Sequence, residues 1–208
     1  MRPIAWYFDF VSPFAYIGLH RLSELPRGLA VEYRPVLFAG LLNHFGQKGP
    51  AEIAAKRRYT YRWCHWWAQS LGVAFRFPAA HPFNPLHHLR LAIACGCTPE
   101  AVRRIFEAIW TTGADPTDAA AFGRLALALG VDAARLGAPE VKDALRRNTE
   151  DAAARGVFGV PTLDVEGELF WGADSTDFVR AFLADPAVLR NAEMRRIDNL
   201  PAGAARRT

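Results

Sequence analysis

Two places along this chain combine residue types that could do chemistry. The first is Ser12-Pro13, inside DFVSPFAY, where an apolar run ends and a second begins at once. Serine at a helix N-cap with proline at the first helical position is a common helix start. The hydroxyl accepts a backbone N–H there, and proline has no N–H to satisfy. A helix N-terminus also concentrates partial positive charge and unpaired N–H groups. Such groups lower a thiol's pKa and favour the thiolate. The second place is Gly159-Val160-Pro161-Thr162. A proline entering a strand lacks a ladder hydrogen bond, so it belongs at an edge or in a cis turn. As an ordinary strand entry it has no further role. As a cis-proline loop it turns the Val160 backbone outward, where its N–H and C=O can pair with an extended peptide.

Other reactive residue types carry less. Three cysteines, Cys64, Cys95 and Cys97, are an odd number and read as free thiols. Structural zinc needs four ligands, and the Cys95/Cys97 pair has no second pair. His81, His87 and His88 lie close in sequence without a carboxylate or cysteine at ligand spacing. His81 is read as a cleft contact, His87 and His88 as surface or packing. Asp9 is a lone charge in an apolar strand; burial unpaired would be costly, so a hydrogen-bonding partner is expected. No metal site is expected.

The elements that must position these residues follow from periodicity. Residues 4–11 read as a buried strand, 13–24 as a helix and 30–36 as a second strand, a β-α-β opening. Strand signals then nearly vanish from Ala39 to Ala138. Helices are expected over 52–71, 86–95, 99–110 and 117–129, with Thr98 capping, Pro99 at the first position and Gly130 as a C-cap. PEVKDALRRNTEDAAARG is amphipathic and helical. FGVPTLDVEGELFWG reads as two short strands turning at Glu166-Gly167. Asp174 is expected to cap a final helix. Two α/β halves therefore flank a helical block: 1–38 with 139–208 as one discontinuous domain, 39–138 as an insertion.

Bulk properties bound the function. The chain has 208 residues, 51% apolar and 22% charged, an ordinary globular balance. It shows no span-length apolar run and no secretory pattern at the N-terminus, so a soluble cytoplasmic protein is expected. Net charge is +4, but the stretch from Arg195 to Thr208 holds four arginines against Asp198. The body is close to neutral, which argues against a nucleic-acid partner. The tail is read as frayed at its end.

Taken together, YFDFVSPFAY, FGQKGP (45–50), FRFPAAHPFNPL (75–86), FGVPT and FWGAD (158–174) resemble one family in order over almost the whole chain. The layout resembles the DsbA-like branch of the thioredoxin superfamily: an α/β thioredoxin-like fold with a large all-helical insertion. The detail resembles the 2-hydroxychromene-2-carboxylate isomerases and their relatives, the kappa-class glutathione transferases. The resemblance implies glutathione as cofactor, with Ser12 holding its sulfur as thiolate. It places Val160, before Pro161, against the cysteinyl part. It places Trp171, Gly172, Ala173 and Asp174 at the γ-glutamyl end, where Asp174 can accept from an ammonium group and Ser175, with free N–H groups, can take a carboxylate. Ser12-Pro13-Phe14-Ala15 stands where the oxidoreductases carry Cys-x-x-Cys, so the site cannot itself run dithiol exchange. It can activate an external thiol. A thiolate adding to a conjugated double bond leaves a single bond. Rotation and expulsion of the thiol then complete a cis–trans isomerisation.

The implied substrate is a hydroxychromene carboxylate of naphthalene-type aromatic hydrocarbon catabolism, opened to a trans-benzylidenepyruvate, and the implied assembly is a homodimer. A carboxylate needs a cation or amide donor, and Lys48, Arg58 and Asn84 are the candidates. KRRYTYRWCHWWAQ places Tyr59, Trp63, Trp66 and Trp67 on neighbouring helical turns, most of them read as core. Ala51 and Glu52 depart from the family's small polar and amide residues after Gly49-Pro50, and a glutamate there does not welcome an anionic substrate. Two other readings compete: a kappa-class-like transferase or peroxidase, and a redox-silent thioredoxin-fold module that binds peptides.

Overall fold

In the computed structural model, which describes residues 4–204, the opening apolar run forms strand β1 (Ile4–Phe8). It ends three residues earlier than hydropathy alone predicts, because the Asp9 carboxylate accepts the Val11 N–H and bends the chain into a turn. Helix α1 (Pro13–Arg21) follows, then β2 (Val31–Pro35). Helices α2 (Phe38–His44), α3 (Ala54–Ser70), α4 (Leu86–Ala94), α5 (Pro99–Trp110) and α6 (Ala119–Ala128) come next. The chain returns through α7 (Pro139–Ala154) to β3 (Thr162–Val165) and β4 (Glu168–Trp171), then α8 (Thr176–Ala184) and α9 (Ala192–Asp198).

The four strands make one sheet in the order β2-β1-β3-β4. β1 pairs in parallel with β2 and antiparallel with β3. The β3–β4 turn has Glu166 and Gly167 both at positive φ, 56° and 93°, as a tight hairpin with right-handed twist requires. The period of two along β1 splits the core. Trp6 and Phe8 face Phe106 from α5, while Ala5 and Tyr7 face Val157 and Ala152 on the α7 side. The sheet and the helical block thus share one continuous apolar interior, with Phe10, Phe106 and Trp110 at the junction.

Several helix starts follow local chemistry. Thr98 Oγ1 accepts the Ala101 N–H, with Pro99 at the first helical position. Asp118 caps α6 through the Ala121 N–H. Two expectations are corrected. The helix over 52–71 is interrupted: Pro50–Glu52 is a 3-10 turn and Ile53 is extended before α3. Asp174 does not cap α8, because Ala173–Ser175 forms a 3-10 turn and Ser175 occupies the cap position. Part of the tail is helical: Asn191 accepts the Met194 N–H and starts α9, which includes Arg195 and Arg196. Arg206 and Arg207 lie outside the described residues.

Candidate active site

Ser12 sits at the N-cap of α1 with extended backbone, φ −90° and ψ 116°. Its Oγ accepts the Ala15 N–H at 3.2 Å and donates to the Val160 carbonyl at 3.4 Å. The second bond is at the long limit, so the hydroxyl proton is weakly held and open to a better acceptor at the same point. Ser12 is 6% exposed, on the floor of the site. The Val160–Pro161 peptide is cis, and Pro161 packs beside Gly18 of α1, where a Cβ would lie 3.2 Å from the proline Cγ. Among the described residues, neither the Val160 N–H nor the Phe14 N–H in the first turn of α1 has a protein acceptor. Two unclaimed donors therefore accompany one loosely bound hydroxyl.

The three carbonyls of the turn below Ser12 are all claimed. The Asp9 carbonyl accepts from the Ser12 N–H, the Phe10 carbonyl from Trp110 Nε1 at 2.9 Å, and the Val11 carbonyl from His81 Nε2 at 2.7 Å. Trp110 ends α5 and His81 precedes α4, so the helical block grips the turn that carries Ser12. Asp9 finds its partners in backbone amides: Oδ1 accepts Val11 N–H and Oδ2 accepts Phe38 N–H, at 3.0 and 2.8 Å. It thereby supplies the cap that Leu37 cannot give α2. Burial pushes this carboxyl up to about 7, against the pull of those two N–H groups. His81 is held from behind by the Tyr61 hydroxyl, which lies 2.6 Å from Nδ1 and 2.8 Å from the His81 carbonyl and has one proton to share between these two acceptors. Burial lowers the pKa of the imidazole; the Val11 carbonyl opposes that and the nearby Arg57 adds to it.

The far wall is the loop after β4. Gly172 takes φ 96°, a region that disfavours a side chain, and a Cβ there would collide with Asp174 Oδ1. Its N–H donates to the Pro161 carbonyl at 2.9 Å, tying this loop to the cis-proline. The Gly172 carbonyl accepts Ser175 Oγ at 2.7 Å. The Ala173 carbonyl accepts both Thr176 Oγ1 and Arg21 Nη1, at 3.0 and 3.1 Å. The carbonyls are thus claimed from inside, which suits an anion-receiving wall. Trp171 is exposed, its ring tilted against Phe158 and lying over Gly159, where a Cβ would come within 2.6 Å of the indole nitrogen.

The structure brings Ser12, Val160, Pro161 and the 171–175 loop together. It does not link Lys48, Arg58 and Asn84 to one another among the described residues. All three are exposed, and Asn84 Oδ1 is spent on the Leu86 N–H. Glu52 is likewise occupied, accepting the Gly49 N–H at 2.6 Å. The reading of the α3 aromatics as mostly core is corrected. Only Cys64 and Ala68 of that helix are buried, whereas Tyr59 is 68% exposed, Trp66 56% and Trp63 39%. His88 is buried among Phe10, Phe83 and Phe122; His87 is exposed. Sequence reasoning missed Trp110, Tyr61 and Arg57. Their signal is tertiary, although Arg57 and Tyr61 share a face at i,i+4.

A helix start facing a cis-proline across a sheet of this order, with serine in place of a dithiol, defines a thioredoxin-fold protein without its own redox pair. The DSBA-like thioredoxin domain model matches residues 3–184. The 2-hydroxychromene-2-carboxylate isomerase of Sphingobium xenophagum is 32% identical over 193 residues, covering 88% of this chain and 99% of that protein. A solved 2-hydroxychromene-2-carboxylate isomerase superposes with a TM-score of 0.76 at 26% identity, over 93% of this chain and 99% of that one. Glutathione s-transferase kappa 2 of Caenorhabditis elegans is 26% identical over 210 residues, covering 89% of this chain and 93% of that protein. The chain belongs to the 2-hydroxychromene-2-carboxylate isomerase family of DsbA-like thioredoxin-fold proteins, related to the kappa-class glutathione transferases.

Proposed function

We propose that the chain is a glutathione-dependent cis–trans isomerase acting on 2-hydroxychromene-2-carboxylate or a related unsaturated aromatic acid. The observation that carries this reading is the buried Ser12 hydroxyl at a helix start, loosely bonded to the Val160 carbonyl beside two unclaimed N–H groups. These groups fit glutathione. When bound, glutathione supplies a thiolate that adds to a conjugated double bond and is later expelled, so none is consumed. Ser12 turns its proton from the Val160 carbonyl to the sulfur, and the Phe14 N–H supports the same charge. The Val160 N–H and C=O pair with the cysteinyl unit as an added strand would. Asp174 and Ser175, framed by Trp171, Gly172 and Ala173, take the γ-glutamyl ammonium and carboxylate. The substrate carboxylate falls to Lys48, Arg58 and the Asn84 amide nitrogen, with Arg57 as a further cation beside Tyr61 and His81.

Relatives named as isomerases support an enzyme of this kind, and the proposal extends to a role in aromatic hydrocarbon catabolism. The same reading puts the chain in the cytoplasm as a homodimer. It treats 39–138 as a helical unit inserted into a thioredoxin-like unit of 1–38 and 139–208. No helix among the described residues is long and apolar enough to cross a membrane. The kappa relative favours a second outcome at the same site, glutathione conjugation. Incubation with a hydroxychromene carboxylate and substoichiometric glutathione decides between them. Product in excess of glutathione is expected; product limited to the glutathione supplied would establish conjugation instead.

A further inference from the structure

The peptide unit joining Val11 to Ser12 is anchored at both ends. Its N–H, on Ser12, donates to the Asp9 carbonyl at 3.0 Å, and its C=O, on Val11, accepts His81 Nε2 at 2.7 Å. A carbonyl left free one residue from Ser12 could swing toward the sulfur position, and its negative end would oppose a thiolate there. His81 prevents this only as a donor. The ring must carry its proton on Nε2, which leaves Nδ1 to accept. The Tyr61 hydroxyl, 2.6 Å from Nδ1 and with its one proton shared between Nδ1 and the His81 carbonyl, supports that tautomer. Trp110 and Phe77 pack edge-on against the imidazole, with ring centroids at 5.6 and 5.8 Å, and fix its plane. The charged groups on either side are Arg57, toward Tyr61 and His81, and the Asp9 carboxylate beneath Val11.

We propose that His81, with its tautomer supported by Tyr61, is a positioning residue for the thiolate held at Ser12, withdrawing the Val11 carbonyl so that the turn presents only N–H and O–H donors to the sulfur. The role rests on the reading that a thiolate sits at Ser12. Its test uses a thiol placed there by mutation, so it can be answered whether or not glutathione binds.

Ser12→Cys supplies the thiol, and its ionisation is followed by ultraviolet thiolate absorbance against the parent chain. The native thiols titrate apart from it, since burial pushes Cys64 and Cys97 up to about 12 and Cys95 upward. Adding His81→Leu is expected to raise the pKa of the introduced thiol by about one pH unit, the size a single hydrogen bond carries. Adding His81→Gln, which keeps a donor in reach of the Val11 carbonyl, is expected to restore most of the parent value. Tyr61→Phe, which frees the tautomer, is expected to fall between them. An unchanged pKa with His81→Leu overturns the proposal. So does an equal rise with His81→Gln, because the effect then belongs to the ring and not to the donated hydrogen bond. Loss of thermal stability in all three variants without a change in thiol pKa reads as a structural role and equally overturns it. Glutathione binding by the chain with Ser12 intact is measured separately and decides the cofactor reading alone.

Discussion

At Ser12 one hydroxyl oxygen has a structural role and, in the proposed function, a chemical one. It caps α1 through the Ala15 N–H while its proton leans on the Val160 carbonyl. Ser12→Ala therefore removes both, and a stability loss of about 1 kcal/mol, typical of a lost cap, accompanies any loss of sulfur binding. Ser12→Thr keeps the oxygen and separates the two effects, with stability and sulfur binding both expected to stay nearer the parent. Asp9 gives a pH dependence of definite sign. Burial raises its carboxyl from the ordinary 3.8 to about 7 in the folded chain, so the native state binds the proton more tightly than the unfolded one. Its contribution to stability is full below about pH 4 and is lost as pH rises through 7. Each tenfold change in proton affinity is about 1.4 kcal/mol, so the total effect is on the order of a few kcal/mol. Denaturant unfolding from acid to neutral pH should show stability declining in the parent relative to Asp9→Asn, which carries no titrating proton. A difference that stays flat across that range would contradict the assignment.

Among the elements, those specified by neighbours in sequence were legible and those specified by distant contacts were not. Thr98-Pro99 predicts the start of α5, and Glu166-Gly167 the β3–β4 turn, because cap and turn chemistry is local. The end of β1 was misread because Asp9 sits in an apolar run yet folds back on Val11. Ser12, Pro161 and the 171–175 loop were legible through family resemblance, not through spacing, since 148 residues separate Ser12 from Val160. The grip of Trp110 and His81 on the Ser12 turn left no periodic trace, being carried across 100 and 70 residues. Two substitutions test this division. Thr98→Ala should cost about 1 kcal/mol in chemical denaturation without altering glutathione binding. Trp110→Phe should cost about 1–3 kcal/mol, because the Phe10 carbonyl is left buried without its donor. A neutral Trp110→Phe would mean that the helical block does not hold the turn through this bond.

At the scale of the whole molecule, the outward face of α3 is unusual for a monomer. Tyr59, Trp63 and Trp66 stand exposed in one stripe, and Trp, Tyr and Arg are the side chains that dominate protein interfaces. The proposed homodimer would cover this face with a second copy. Trp63→Glu with Trp66→Glu should shift the chain to monomer in sedimentation while leaving its circular dichroism intact, since both side chains are already exposed. A parent chain that sediments as a monomer would remove the dimer from the account. The central proposal is that a glutathione thiolate is held at Ser12. The most direct test is the pH titration of glutathione thiolate absorbance when bound to the parent chain and to Ser12→Ala. The account predicts that the thiol bound to the parent ionises at least about one pH unit below the usual cysteine value of about 8.5, and that Ser12→Ala loses most of that shift. A bound thiol that titrates at its solution value, or identically in both proteins, would contradict it.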